Sequence, residues 1–420
     1  MIPDRMTVLD AVARVAETAR GRTYVAGCSG EPVSVAQAFR VAPELAAGIT
    51  FHGIWIPGVN RTDWAGLHPE ARAETIFLSP DLRASFAERR TAFRPLSYVQ
   101  AAGLLAREPS DAAFCVVSPP DDKDQVSLGV SADFSEAALR LAGTRVALVN
   151  PNMPAPPNAP RLPLSWFDIV VEDDTPLLTV EDAALDPAFA LIAGHIAERL
   201  PDRATLQFGL GKVQAAILRA LSAKRDLRIH SGMVSDPVLD LLDSPVLARD
   251  AHAITTGVAI GSAQLYARLA QDPRVRFAPV SFTHDLRTLA DIPRFCAINS
   301  VIEVDLFGQA NAEFLDGRQI SGAGGLVDFL RGARYSEGGL AITALLSTAK
   351  AGAVSRIVPR LSPDAVTIAR ADMGLVVSEH GVADLRTADI EGRARALIAI
   401  ADPAHRAGLE TAWDQMRSRM

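Results

Sequence analysis

Cysteine is scarce and scattered in this chain: Cys28, Cys115 and Cys296 lie far apart, with no CxxC pair among them. That pattern argues against a disulfide framework and against a zinc site, and it fits a reducing, cytoplasmic setting. Long apolar runs are also missing. None approaches the roughly 20 residues needed to span a bilayer. The first 18 residues carry Asp4, Asp10 and Glu17 among their apolar positions and read as an amphipathic helix, not a signal peptide. No long basic run or aromatic-basic interleaving occurs, and the net charge is −7 from 42 basic and 49 acidic residues, which argues against nucleic acid as a partner. The one local concentration of arginine, residues 83–94, reads as a solvated helix face, with anion binding as the alternative. A soluble protein with no membrane partner and no metal site is expected.

What is present is ordinary in amount and informative in order. At 420 residues the chain exceeds what one core usually serves, so two domains are expected. Strand and helix patterns alternate throughout, which is the pattern of an α/β fold. The most telling stretch is residues 206–236. Leu206-Gln207-Phe208 reads as a strand and Gly209-Leu210-Gly211 as a tight turn. Val213, Ala216, Ile217, Ala220 and Leu221 then recur at helical spacing, and a second strand leads to a polar loop opening at His230-Ser231-Gly232. A glycine turn between strand and helix exposes backbone N–H groups at the positive end of the helix. That place suits a phosphate, a carboxylate or a developing oxyanion, although many such turns exist only to reverse the chain.

The same order appears earlier. Residues 23–26 form a strand, residues 27–30 a glycine turn, and a helix and a strand follow, ending at His52-Gly53. The offset is close to 178 residues, pairing His52 with His230 and favouring two similar halves. A proline-rich loop at residues 151–163 and a polar, acidic segment at 171–186 follow, the latter being the expected seam. The chain thus divides into residues 1–185 and 186–420. In the second part, residues 319–325 (QISGAGG) form a glycine-rich loop ahead of a helical pattern, where an anion or oxyanion role is the better reading.

Residues 299–313 (NSVIEVDLFGQANAE) and 319–333 (QISGAGGLVDFLRGA), with the GxG turn, residues 347–350 (STAK), 355–359 (SRIVP) and 378–385 (SEHGVADL), resemble one known family. In the first half VSPPDDKDQVSLGVS and VNPNMP match as well. The family is that of acetyl-CoA hydrolases and CoA-transferases, including 4-hydroxybutyrate and succinyl-CoA:acetate CoA-transferases. The resemblance covers nearly the full length. It implies two similar CoA-transferase-like α/β domains with the active site in the cleft between them. It also implies an acyl-CoA substrate, no metal, a small carboxylic acid as acceptor if the enzyme transfers, and a homodimer.

Carried over position by position, the resemblance places oxyanion-binding N–H groups at Leu210 and Gly325. It assigns Gly209, Gly211, Gly322, Gly324 and Lys350 to holding coenzyme A, a second glutamate at Glu379, and a polar position at His284. One departure stands out. The glutamate that attacks the thioester in the transferases falls at Gly232, which has no side chain to form an anhydride or an enzyme-CoA thioester. Three outcomes remain open: hydrolysis by a water activated by Glu379 or, second, His284; transfer by direct attack of an acceptor carboxylate or through another side chain; or acyl-CoA binding with little turnover.

Each residue also has a plainer role. Glu379 could cap its own loop, His284 could bridge a loop by hydrogen bonds, and Lys350 and Arg356 could be ordinary surface charges. His230 reads as a buried structural histidine. Ser231 is a poor partner for it, because adjacent strand residues face opposite ways. Glu303 and Asp305 share a strand face and read as loop-stabilising acids.

Overall fold

A computed structural model describes residues 3–19, 21–180, 187–209, 212–362 and 365–420. The division expected at residues 185 and 186 and the turn residues Leu210 and Gly211 lie outside the described residues. Two eight-stranded sheets carry the fold. The first is built from β1 (Asp4–Met6), β2 (Arg22–Val25), β3 (Thr50–His52), β4 (Arg72–Thr75), β5 (Thr91–Phe93), β6 (Ala112–Val117), β7 (Thr144–Val149) and β8 (Ile169–Glu172). Their order is β1-β8-β7-β6-β2-β3-β4-β5, and every pair is parallel. The second sheet holds β9 (Thr205–Phe208), β10 (Arg228–Val234), β11 (Ile254–Ala259), β12 (Val275–Phe277), β13 (Phe295–Ser300), β14 (Leu340–Ala344), β15 (Leu375–Ser378) and β16 (Gly381–Asp384). Its order is β12-β11-β10-β9-β13-β14-β15-β16, parallel except for the closing β15–β16 hairpin.

Read outward from β2 and from β9, the two sheets have one topology. In each, the next three strands of the chain stack on one side and the following three on the other. The corresponding histidines sit alike in register: His52 pairs with Tyr24 of β2, and His230 directly follows Ile229, which pairs with Leu206 of β9. Fully buried parallel strands read as unbroken apolar runs because helices cover both faces. AAFCVV in β6 is such a run, and ITTGVA in β11 is buried at all six positions as well although it carries two threonines.

Two expectations need correction. His230, Ser231 and Gly232 do not open a loop. They lie inside β10, whose pairing with β11 runs on to Val234 opposite Ala259. A glycine beside a serine reads locally as a turn, but ladder pairing to a neighbour distant in sequence overrides that preference. Residues 83–94 are not one helix face either. Arg83–Ala87 is a short helix, β5 follows, and Arg94 bonds Glu74 and Glu108.

The halves meet through two facing helix starts, α1 (Tyr98–Arg107) and α2 (Leu326–Tyr335). Ser97 and Gln100 form a capping box at α1, the kind of cap that contributes about 1 kcal/mol. Asp328 of α2 reaches across to accept from the Ser97 hydroxyl at 2.8 Å and the Val99 N–H at 3.2 Å. The two positive helix ends and these hydrogen bonds offset part of the burial that raises the Asp328 pKa to about 6. The Tyr98 N–H completes the joint by donating to the carbonyl of Gly324 at 3.1 Å.

Candidate active site

A cleft of about 200 Å³ opens where the glycine loop at 321–325 meets the carboxyl ends of β9, β10 and β13. Its lining includes Gln207, Phe208 and Gly209 from the β9 end, Gly232 and Met233 from β10, and Asn299 and Ser300 from β13. The first half contributes Ile56, Phe77 and Tyr98. The cleft therefore lies between the halves, at the strand ends where ligands of open α/β sheets bind. Gly324 takes a φ of +55°, which a side-chain-bearing residue resists. Gly322 runs so close to the carbonyl of Ile76 that a β-carbon would collide with it.

His284 lines the cleft. Its ring packs between those of Tyr98, at 4.7 Å between centroids and tilted by 35°, and Phe329, at 4.3 Å and tilted by 42°. Nδ1 bonds the hydroxyl of Thr283 at 2.9 Å. A β-carbon built on Gly232 would stand 2.7 Å from Cε1 and 2.9 Å from Nε2 of this ring, and one on Gly325 would come closer still. The imidazole is thus seated between two glycines, and it fills the space where a side chain at position 232 would begin. Nε2 has no hydrogen-bond partner among the described residues. Burial pushes the pKa of His284 down to about 3, with the nearby His230 adding to the shift, so the ring is neutral.

His230 holds this arrangement in place. It is buried, its pKa is lowered by burial to about 4, and its Nε2–H donates to the carbonyl of Thr283 at 3.0 Å. The structural reading of His230 therefore stands. Ser231, on the opposite face, donates to the Phe208 carbonyl at 3.2 Å and makes no dyad with it. Asp285 then starts the next helical turn by accepting from the N–H groups of Arg287 and Thr288. Fixed on both sides, the 283–285 segment presents one ring to the cleft.

The other expected residues divide into two groups. Gly209, Gly322, Gly324, Gly325 and His284 line the one cleft. The Gly325 N–H, at the start of α2, meets no acceptor among the described residues, whereas the Gly209 N–H is taken by the carbonyl of Ile298. Glu379 and Lys350 are not among the lining residues. Glu379 lies just past β15, on the same carboxyl edge as Ser300 but two strands away, and its two oxygens accept from the Ser347 N–H at 2.9 Å and hydroxyl at 2.6 Å. Lys350 is exposed, with Asp316 at 3.8 Å. Arg356 pairs with Glu303 at 3.6 Å, and Asp305 accepts from the N–H groups of Phe307 and Gln309, so both acids hold loops.

Sequence reasoning missed the rings that grip His284. Tyr98 lies 186 residues away in the chain, and nothing in its surroundings marks it beyond the start of a helix. The Gln207–Asn299 pair was missed as well. Their amides bond each other, Asn299 Nδ2 to Gln207 Oε1 at 2.8 Å and Gln207 Nε2 back to Asn299 Oδ1 at 3.3 Å.

A cleft at the strand ends of paired parallel sheets, with a glycine loop opening a helix beside a neutral imidazole, is the arrangement of an α/β enzyme's ligand site. Comparison with known proteins makes this specific. Residues 261–413 match the acetyl-CoA hydrolase/transferase C-terminal domain. The 4-hydroxybutyrate coenzyme A transferase of Clostridium kluyveri is 34% identical over 396 residues, 92% of each chain. The structure of RipA from Yersinia pestis superposes with a TM-score of 0.88 at 26% identity, covering 98% of this chain and 97% of that one. A 4-hydroxybutyrate CoA-transferase from Porphyromonas gingivalis gives 0.80 at 29% identity, covering 99% and 98%. The chain belongs to the acetyl-CoA hydrolase/CoA-transferase family, and it is an enzyme of the acyl-CoA hydrolase or CoA-transferase type.

Proposed function

We propose that the chain hydrolyses an acyl-CoA thioester without forming a glutamyl-CoA intermediate. The observation that carries this reading is the neutral imidazole of His284, set against Gly232 where the resemblance places a nucleophilic carboxylate. With no carboxylate in that place, an attacking water takes its role. Nε2 of His284 accepts the water's hydrogen bond as the oxygen adds to the thioester carbonyl. The oxyanion is met by the Gly325 N–H and, by resemblance, by the turn at Leu210. Each such donor contributes roughly 3 kcal/mol. Storing a proton on a ring of pKa about 3 costs ~5 kcal/mol at pH 7. The proton is therefore passed on in the same step to the departing CoA sulfur, as the carbon–sulfur bond breaks. Glu379, two strands away and bonded to Ser347, shapes the loop at this edge.

A second reading keeps the protein a transferase, with an acceptor carboxylate attacking directly, and the transferase names of its relatives favour it. Against it, no charged side chain lines the cleft among the described residues, so no side-chain cation there pairs with an acceptor anion. The two readings part in one assay. CoA release from an acyl-CoA panel should proceed without any added acid, fall about 100-fold in His284→Ala, and recover in part with added imidazole. It should change far less in Glu379→Ala. A rate that depends wholly on added carboxylate would establish the transferase reading instead.

A further inference from the structure

Resting on that acyl-CoA reading, we propose that the acyl group this enzyme accepts is uncharged, and that acyl chains ending in a carboxylate are rejected. The cleft lining is mostly apolar, with Ile56, Phe77, Met233, Val258, Leu326 and Phe329 in it, and the hydroxyls it adds, from Tyr98, Ser300 and Ser321, are uncharged. The two amides in the lining, Gln207 and Asn299, bond each other, which occupies one N–H and the carbonyl oxygen of each. No lysine or arginine side chain is among the described lining residues. A terminal carboxylate entering here would leave water and find no cation to pair with, a cost of several kcal/mol.

The surroundings add to the selection. Asp328 bonds the residues on either side of Tyr98, on the cleft wall, and Asp133 is close enough to act electrostatically on the Tyr98 hydroxyl. Both are acids, and their charge disfavours a second anion.

The test compares matched pairs. S-butyl-CoA and S-(3-carboxypropyl)-CoA are unreactive thioethers that differ by a terminal carboxylate. Butyryl-CoA and succinyl-CoA provide the corresponding pair for turnover. The wild-type protein should bind the carboxylated thioether at least about 100-fold more weakly by calorimetry, and kcat/KM should show the same ratio. Met233→Arg, which puts a cation on the wall, should narrow the gap at least about tenfold. Equal binding of the two thioethers, or tighter binding of the carboxylated one, overturns the proposal even if Met233→Arg does not fold. Discrimination between thioethers without any turnover would leave the acyl class standing and remove the hydrolase reading. Equal turnover of the two esters would do the reverse.

Discussion

Gly53 and Gly232 follow corresponding histidines in the two halves, and the space beside them is used in opposite ways. In the first half a β-carbon on Gly53 would run into the carbonyl of Val25 and into the indole of Trp55, 2.6 Å from Nε1. The neighbouring cavity, lined by Tyr24 and His52, holds only about 40 Å³. In the second half the space beside Gly232 receives the His284 ring, and a cleft of about 200 Å³ opens next to it. Spacing decides this. Gly53 comes one residue after its histidine and faces the other way, whereas Gly232 comes two residues after and shares His230's face. On that shared face lies the 283–284 segment, tied to His230. One topology used twice has produced one closed core and one open site.

The sharpest way to break the comparison is to put a carboxylate into the open half. Gly232→Glu alone should give no covalent enzyme-CoA adduct, because its β-carbon collides with a ring clamped between Tyr98 and Phe329. The double variant Gly232→Glu, His284→Ala should show the adduct by mass spectrometry, a gain from none to detectable. An adduct in the single variant would mean that the ring yields easily.

Next in size come the two glycines themselves. Gly53→Ala meets backbone and should lower stability by roughly 1–3 kcal/mol, read as a fall in Tm of several degrees, with activity per folded molecule unchanged. Gly232→Ala presses on a ring edge, and should cost about tenfold or more in turnover with a smaller change in Tm. Equal effects from both would erase the distinction drawn between the halves. A smaller effect is expected from Thr283→Val, which removes the hydroxyl bonded to Nδ1 but keeps the carbonyl that holds His230. We expect kcat to fall about tenfold with KM little changed, since ring orientation acts in the transition state.

The smallest effect concerns what the halves share. Burial holds His52, His230 and His284 at about 3, 4 and 3, below the ordinary 6.5, so the unfolded chain takes up protons that the folded protein refuses. Their contribution is therefore lost stability as pH falls from about 6.5 towards 4, at about 1.4 kcal/mol per unit for each. Asp133 and Asp328, raised by burial to about 6 from 3.8, act the other way between those two values. His52→Asn removes one of the three histidine contributions far from the cleft. Its acid-side loss of Tm should be visibly shallower than the wild type's, while its activity at pH 7 stays within a few-fold.

Much of this was legible in the residues. The alternation of strands and helices, the glycine turns, the repeat at 178 and the family motifs all depend on local patterns, which one chain displays in full. That position 232 is a glycine was plain from the residues. The ring beside it was not, since Tyr98, His284 and Phe329 converge from segments far apart in sequence, and no local rule scores their contact.

Sequence alone determined that this chain folds as paired α/β halves of the CoA-transferase kind and that position 232 carries no side chain. Only tertiary structure decided what stands there instead. A space left by one residue is filled by whichever side chain the packing of distant strands and helices brings against it, and here that side chain is a neutral imidazole held between two aromatic rings.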